Sequence, residues 1–358
     1  MDFGGGDEVR FERAGKAGII TLKRPSALNA LTQNMALAIS RALNDWEEDD
    51  RIAVVIIRGE GRAFCAGGDI QAIYRAGRTG SPLYDFFADE YRLNIRIESY
   101  SKPYVALIDG IVMGGGVGVS IHGSHRVFTE NARFAMPEVT IGFFPDVGGS
   151  RFLPRLPGQF GLWLGLTGSR LAWGDSLWSG LATHCVESGD LNAVIDRLSE
   201  TGDANAVLGT HSQQVPRVID DAQIDNINLR FDADTIGDLL NGLRSAADRD
   251  DEFVTETLAK LGKASPTSLH VAFRQIRAGA MLSMTECMKM EYRIVSRMLE
   301  GHDFYEGIRA AVIDKDGAPV WQPGEVGQVD VSQIARYFAP LGSHELSLAA
   351  EGNGAPSP

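Results

Sequence analysis

The segments IAVVIIRG at 52–59 and KPYVALIDG at 102–110 carry continuous apolar runs rich in β-branched residues, the pattern of strands covered on both faces of a parallel sheet. Each runs into glycine: GEGRAFCAGGDI at 59–70 leads towards a helix with Asp69 near its start, and GIVMGGGVGVSIHG at 110–123 sets three glycines in an apolar stretch. Upstream, residues 8–24 alternate and pause at AGKAG, which predicts a hairpin whose second strand, GIITLKR, ends at Pro25. From Thr32 the period becomes helical, with Met35, Ile39, Leu43 and Trp46 on one core-facing stripe. SHRVFTENARFAMPE at 124–138 supplies further short strands, and FFPDVGGSRFLPRLPG at 143–158 a tight turn entering a helix. The recurring unit of strand, glycine loop and helix predicts α/β layering with ligands received at the C-terminal ends of the strands. Beyond about residue 190 no long β-branched run recurs, and windows 235–261 and 284–300 read as helices. The expected division is an α/β core over 1–200, a mainly helical region over 201–341 and a disordered tail over 342–358.

A chain of 358 residues with 44% hydrophobic content can bury a large core. Its net charge of -13 gives no general attraction for nucleic acid or an anionic membrane, so neither is expected as a partner. An anionic ligand must then be met by local cations or main-chain amides. The opening MDFGGGDEVRFERAG is neither a signal peptide nor a typical transit peptide, which predicts a cytoplasmic protein. The most apolar window, 104–121, is interrupted by Asp109 and the glycines and is not read as a membrane span. Cys65, Cys185 and Cys287 are odd in number and far apart, which suits a reducing compartment and forms neither a disulfide framework nor a zinc site. No phosphate-loop, dinucleotide-binding or G-x-S-x-G signature occurs. His122 and His125 are read as core or surface residues, and no HExxH spacing is present.

Three consecutive glycines mark a turn, close packing or a ligand approaching the main chain. Two glycine loops at the ends of neighbouring strands also meet the needs of an oxyanion hole, because the first amides of a helix are unpaired and carry partial positive charge. The pattern alone leaves the packing turn and the oxyanion hole both open.

In order and spacing, AFCAGGDI, DGIVMGGGVG and FAMPEVTIGFFPDVGGS resemble the crotonase (enoyl-CoA hydratase/isomerase) superfamily over about residues 8–190. The resemblance implies stacked ββα units with a glycine-loop oxyanion hole, here the amides of Gly68 and Gly115, holding the thioester oxygen of an acyl-CoA. It also implies main-chain recognition of adenine by Ala66, Asp69 and Ile70. Ala27 and Leu28 of RPSALNAL would line the pantetheine path, with Lys23 and Arg24 as candidates for the CoA phosphates. A homo-oligomer, trimer or hexamer, is implied as well. Coenzyme A belongs to the substrate, and neither a metal nor a redox cofactor is called for.

Hydratases of the superfamily carry two glutamates. This chain keeps the second, Glu138, and has Gly118 where the first should stand, so water delivery across a double bond lacks one acid/base group. SPTSLHVAFRQ at 265–275 and DFYEGIRAAVIDKDGAPVW at 303–321, with MGGGVG, MPE and FPDVGG, resemble the 3-hydroxyisobutyryl-CoA hydrolase branch, which acts in valine catabolism. That resemblance places Glu138, Asp146 and Glu90 around the acyl group. Read from the residues alone, Asp146 is also suited to capping the following helix, and Glu90 to a solvated face. The function implied is hydrolysis of 3-hydroxyisobutyryl-CoA, and of 3-hydroxypropionyl-CoA, with Glu138 as general base or as nucleophile through a mixed anhydride. Asp146 would orient the water or the substrate hydroxyl. The rivals are a hydratase or isomerase of the same fold and a non-catalytic acyl-CoA-binding protein.

Overall fold

The computed structural model describes residues 1–247 and 251–348. Among the described residues nine strands form two sheets. The larger contains β1 (Val9–Ala14), β2 (Ala17–Leu22), β3 (Val54–Gly59), β5 (Tyr104–Ile108), β7 (His125–Phe128) and β9 (His184–Cys185) in that spatial order. The smaller contains β4 (Ala63–Cys65), β6 (Ile111–Met113) and β8 (Arg133–Ala135). Among the described residues β1–β2 is the only antiparallel pair of named strands. Each strand of the smaller sheet follows directly on one of the larger, which is the stacked arrangement expected. The corner between β5 and β6 requires glycine: Gly110 has φ +91°, and a β-carbon there would lie 2.3 Å from the Arg62 carbonyl oxygen.

The helices are α1 (Gln33–Glu48), α2 (Ile70–Arg78), α3 (Tyr84–Glu98), α4 (Gly115–Gly118), α5 (Gly149–Phe152), α6 (Phe160–Thr167), α7 (Trp173–Ser179), α8 (Leu191–Thr201) and α9 (Ala204–His211). They continue with α10 (Asp221–Phe231), α11 (Ile236–Ala247), α12 (Glu252–Leu261), α13 (Pro266–Gly279), α14 (Met284–Met298), α15 (His302–Ile308) and α16 (Val331–Phe338). The continuous apolar runs have the explanation their sequence suggests, since both faces of the larger sheet are covered. Ile19, Val54, Ile56, Val105 and Leu107 point towards Val194, Leu198 and Leu208 of α8 and α9. Their alternates Ile20, Val55, Ile57, Ala106 and Ile108 share the main core with Ile39, Leu43 and Trp46 of α1. That face alternation is the period-2 geometry of a strand.

Two expectations about organisation need correction. A boundary at residue 200 falls inside α8, and α8 and α9 together close one face of the sheet. The region 201–341 is mainly helical, and residues of its α13 and α14 share the main core with α1 and α3. The tail does not come loose at Gly342: Leu346 is buried and Glu345 pairs with Arg293 at 2.8 Å. The remainder of the expected disordered tail, 349–358, lies outside the described residues. The helical window 235–261 is two helices, α11 and α12, with 248–250 likewise outside the described residues.

Candidate active site

One cavity of about 630 Å³ collects the acyl-CoA contact residues that the sequence nominated, with the exception of Lys23. Ala27 and Leu28, Ala66, Gly68, Asp69 and Ile70, Glu90, Gly115, Glu138 and Asp146 all line it, brought from five separate segments. Lys23 does not line it. Arg24 does, but its guanidinium is tied to Asp69 at 2.9 Å and to Glu8 at 3.3 Å, so it is a strut of the entrance rather than an idle cation. Arg75 of α2 is a lining cation that the sequence reading missed, and among the described residues its guanidinium donates to Gln71 at 3.2 Å.

Each glycine of the triplet has its own reason. Gly114 adopts φ +45°, ψ −124°, a conformation suited to glycine. A β-carbon on Gly115 would stand 2.5 Å from Glu90 Oε1 and 3.3 Å from the Gly68 amide nitrogen. A β-carbon on Gly116 would fall 2.2 Å from the Cys65 carbonyl oxygen, so this glycine lets α4 sit on β4. Gly68 and Gly115 therefore lie side by side against the cavity, and neither amide has an acceptor among the described residues. The neighbouring loop amides differ. Ala66 donates to Leu28, Asp69 to Leu31 and Ile70 to Gly68, while the Gly67, Gly68 and Asp69 carbonyls accept from Leu31, Ile70 and Ile73, which leaves the Ala66 carbonyl as the oxygen of 66–69 without a main-chain partner among the described residues.

Three carboxyls close the inner end. Glu138 opens the 3₁₀ turn Glu138–Ile141, is buried, and its Oε1 lies 3.4 Å from where a β-carbon on Gly114 would be. Its other oxygen has no protein partner. Glu90, only 2% exposed on α3, is no solvated-face residue. Asp146 accepts a hydrogen bond from Tyr91 Oη at 3.0 Å. It does not cap the following helix: α5 has Gly148 at its N-cap and no side-chain cap bond. Burial pushes Asp146 up to about 7, against the pull of the Tyr91 hydrogen bond. Burial, and then the charge of Asp146, raise Glu138 and Glu90 well above the ordinary carboxylate range. Such a cluster retains protons at pH values where an exposed carboxyl is ionised.

The Asp146 loop is held from several sides. Val147 takes φ +48°, a strained conformation for a β-branched residue, and its carbonyl accepts from His122 Nε2 at 2.7 Å. His122 is a buried ring held neutral, with burial lowering it to about 4. His125 is likewise a buried structural residue, bonded to Ser124 and Asn205. Gln275 Nε2 of α13 donates to the Pro145 carbonyl at 2.6 Å. Glu291 of α14 accepts from the Gly148 and Ser150 amides at 2.9 and 3.0 Å, and from the Ser150 hydroxyl. Sequence reasoning missed both Glu291 and Gln275. A signal for Glu291 was present: it lies three residues from Met288 and Ile294 and four from Val295, within the apolar stripe of its helix. At Gly118 the space is already filled, since a β-carbon would meet Asn94 Nδ2 at 2.8 Å and Val147 Cβ at 2.9 Å.

Known proteins resemble this chain over most of its length. Residues 17–338 match the family model described as enoyl-CoA hydratase/isomerase. The 3-hydroxyisobutyryl-CoA hydrolase, mitochondrial, of Danio rerio is 46% identical over 356 residues, covering 96% of this chain and 92% of that protein. The Homo sapiens protein of the same name is 43% identical, with 96% and 91% covered. Among solved structures, a carnitinyl-CoA dehydratase from Mycobacterium thermoresistibile has a TM-score of 0.90 at 38% identity, covering 97% of this chain and 100% of that one. An enoyl-CoA hydratase from Rhodobacter sphaeroides has a TM-score of 0.85 at 37% identity, covering 95% and 99%. The names of the hydrolase relatives place them in mitochondria, which runs against the cytoplasmic location expected from the sequence. Among the described residues no helix is long and apolar enough to cross a membrane.

Proposed function

Because the chain belongs to the enoyl-CoA hydratase/isomerase family, we propose that it hydrolyses 3-hydroxyisobutyryl-CoA to 3-hydroxyisobutyrate and coenzyme A. The observation that carries this reading is the convergence of two free glycine amides beside Glu138, with Asp146 and Glu90 in the same cavity and the position of a second hydratase acid, Gly118, sterically closed.

The thioester oxygen binds the Gly68 and Gly115 amides, which stabilise the negative charge formed when the carbonyl is attacked. Glu138 takes a proton from water as the water oxygen adds to the carbonyl carbon, and burial, by strengthening its hold on a proton, favours this role. The tetrahedral intermediate then expels the CoA sulfur, which takes up the proton that Glu138 removed. Asp146, fixed by Tyr91 at one oxygen, offers the other to the 3-hydroxyl of the acyl group, and Glu90 bounds the acyl pocket. The Ala66 carbonyl oxygen suits the exocyclic amino group of adenine, and Arg75, whose guanidinium has no carboxylate partner among the described residues, is the lining cation best placed for a CoA phosphate.

The test is free-thiol release from 3-hydroxyisobutyryl-CoA, 3-hydroxypropionyl-CoA and isobutyryl-CoA, measured beside hydration of crotonyl-CoA. Thiol release should dominate and should favour the hydroxylated chains, because an apolar analogue leaves the pocket acids unpaired. A second reading, a lyase, is favoured by the names of the two similar solved structures. Hydration outpacing thiol release would establish it. Oxygen-18 from labelled water found in Glu138 after a single turnover would replace the general-base route with the anhydride route.

A further inference from the structure

The loop that carries Asp146 has no regular structure to fix it, and its Val147 sits in a backbone region that a valine side chain disfavours. Such a conformation persists only where its surroundings over-determine it. The strongest clamp comes from 145 residues further along the chain, where Glu291 is fully buried and both its oxygens take a main-chain N–H from the loop, at Gly148 and Ser150. The Ser150 hydroxyl adds a third bond. No cation pairs with Glu291 among the described residues, so its burial is compensated only by these loop donors.

We infer that Glu291 is a positioning residue for Asp146, holding the loop in its strained turn so that the Asp146 carboxyl faces the acyl pocket and Tyr91. The inference rests on the hydrolase reading for its catalytic consequence but not for its geometry. Glutamine at 291 keeps the shape yet offers one acceptor oxygen, so its amide group must oppose one of the two loop N–H donors. The titratable groups around Glu291 are Asp146 on the loop, Glu90 and Tyr91 on α3, and Cys287 on its own helix.

Glu291→Gln should lower kcat for thiol release by roughly 10–100-fold while KM for the acyl-CoA stays within about twofold, since the CoA-facing loops are untouched. Ser150→Ala, which removes one donor and leaves the main-chain pair, should give a smaller loss of the same kind. The control is Ser283→Ala, which deletes the N-cap of α14 and should lower Tm without changing kcat. A Glu291→Gln enzyme with wild-type kcat overturns the inference, as does an equal kcat loss in a Ser283→Ala enzyme of matched Tm. A second readout needs no activity: the Asp146 side-chain carboxyl and the Gly148 and Ser150 amide NMR signals should shift in Glu291→Gln as the loop leaves its clamped position, and unmoved signals overturn the inference. Wild-type protein that releases no thiol defeats the hydrolase reading alone, leaving the NMR signals to decide on Glu291.

Discussion

Asp109, Gly110 and the glycines at 114–116 interrupt the most apolar window of the chain, and each of the three glycines answers to a different neighbour: its own backbone, Glu90, and the Cys65 carbonyl. Gly115→Ala would therefore push the Glu90 carboxyl aside and crowd the oxyanion volume. Its expected effect is a loss of about 10²-fold in kcat, read by thiol release, with folding retained by circular dichroism. Glu138→Gln should cost about 10²–10⁴-fold in kcat, with acyl-CoA binding by calorimetry unchanged, because the shape is kept and the base is lost. Glu138, Asp146 and the two glycine loops were legible because each sits in a short contiguous motif. The meaning of Gly118 was only half legible. The sequence shows a missing carboxylate, but that Asn94 and Val147 fill its space depends on contacts between segments far apart in the chain.

At the level of elements, the entrance loop shows how a buried amide replaces regular structure. Leu28 and Asn29 both have positive φ, and Asn29 Nδ2 donates to the Glu60 and Ala63 carbonyls at 2.9 and 2.8 Å, while its Oδ1 accepts from Arg24 N at 2.8 Å. Asn29→Gly tolerates the left-handed backbone and deletes the strut. It should cost about 1–3 kcal/mol in unfolding free energy and raise KM more than it lowers kcat, as measured by denaturant titration and steady-state kinetics. The strands, the hairpin and α1 could be read from periodicity because their burial follows directly from side-chain alternation. Partition at residue 200 could not be read, because composition changes there while packing does not: α8 looks helical and polar in part, yet Val194 and Leu198 close the sheet.

For the whole molecule, buried carboxyls make stability depend on pH in an unusual direction. Asp146 is raised from 3.8 to about 7 and Glu291 from 4.5 to about 8, so in these windows the folded chain binds protons that the unfolded chain has lost. Their contribution is fully present below about pH 4, declines as pH rises, and is gone above about pH 8, at up to about 1.4 kcal/mol per pH unit for each group. Tm should be higher at pH 5 than at pH 8, and Asp146→Asn or Glu291→Gln should flatten that slope in a calorimetric series. A Tm that rises across this window would contradict the assigned burial of both acids. The latch between α14 and the Asp146 loop also bears on biosynthesis. The proposed catalytic residues are all translated by Asp146, yet the loop meets its clamp only once residue 291 has left the ribosome. A message truncated at codon 283 would yield a product that carries both glycine loops, Glu138 and Asp146 but lacks the clamp and the cavity residues Phe304 and Val312, and it should release no thiol. In a synchronised translation reaction, turnover should begin only after full-length chains accumulate, so that an unfinished copy does not consume acyl-CoA.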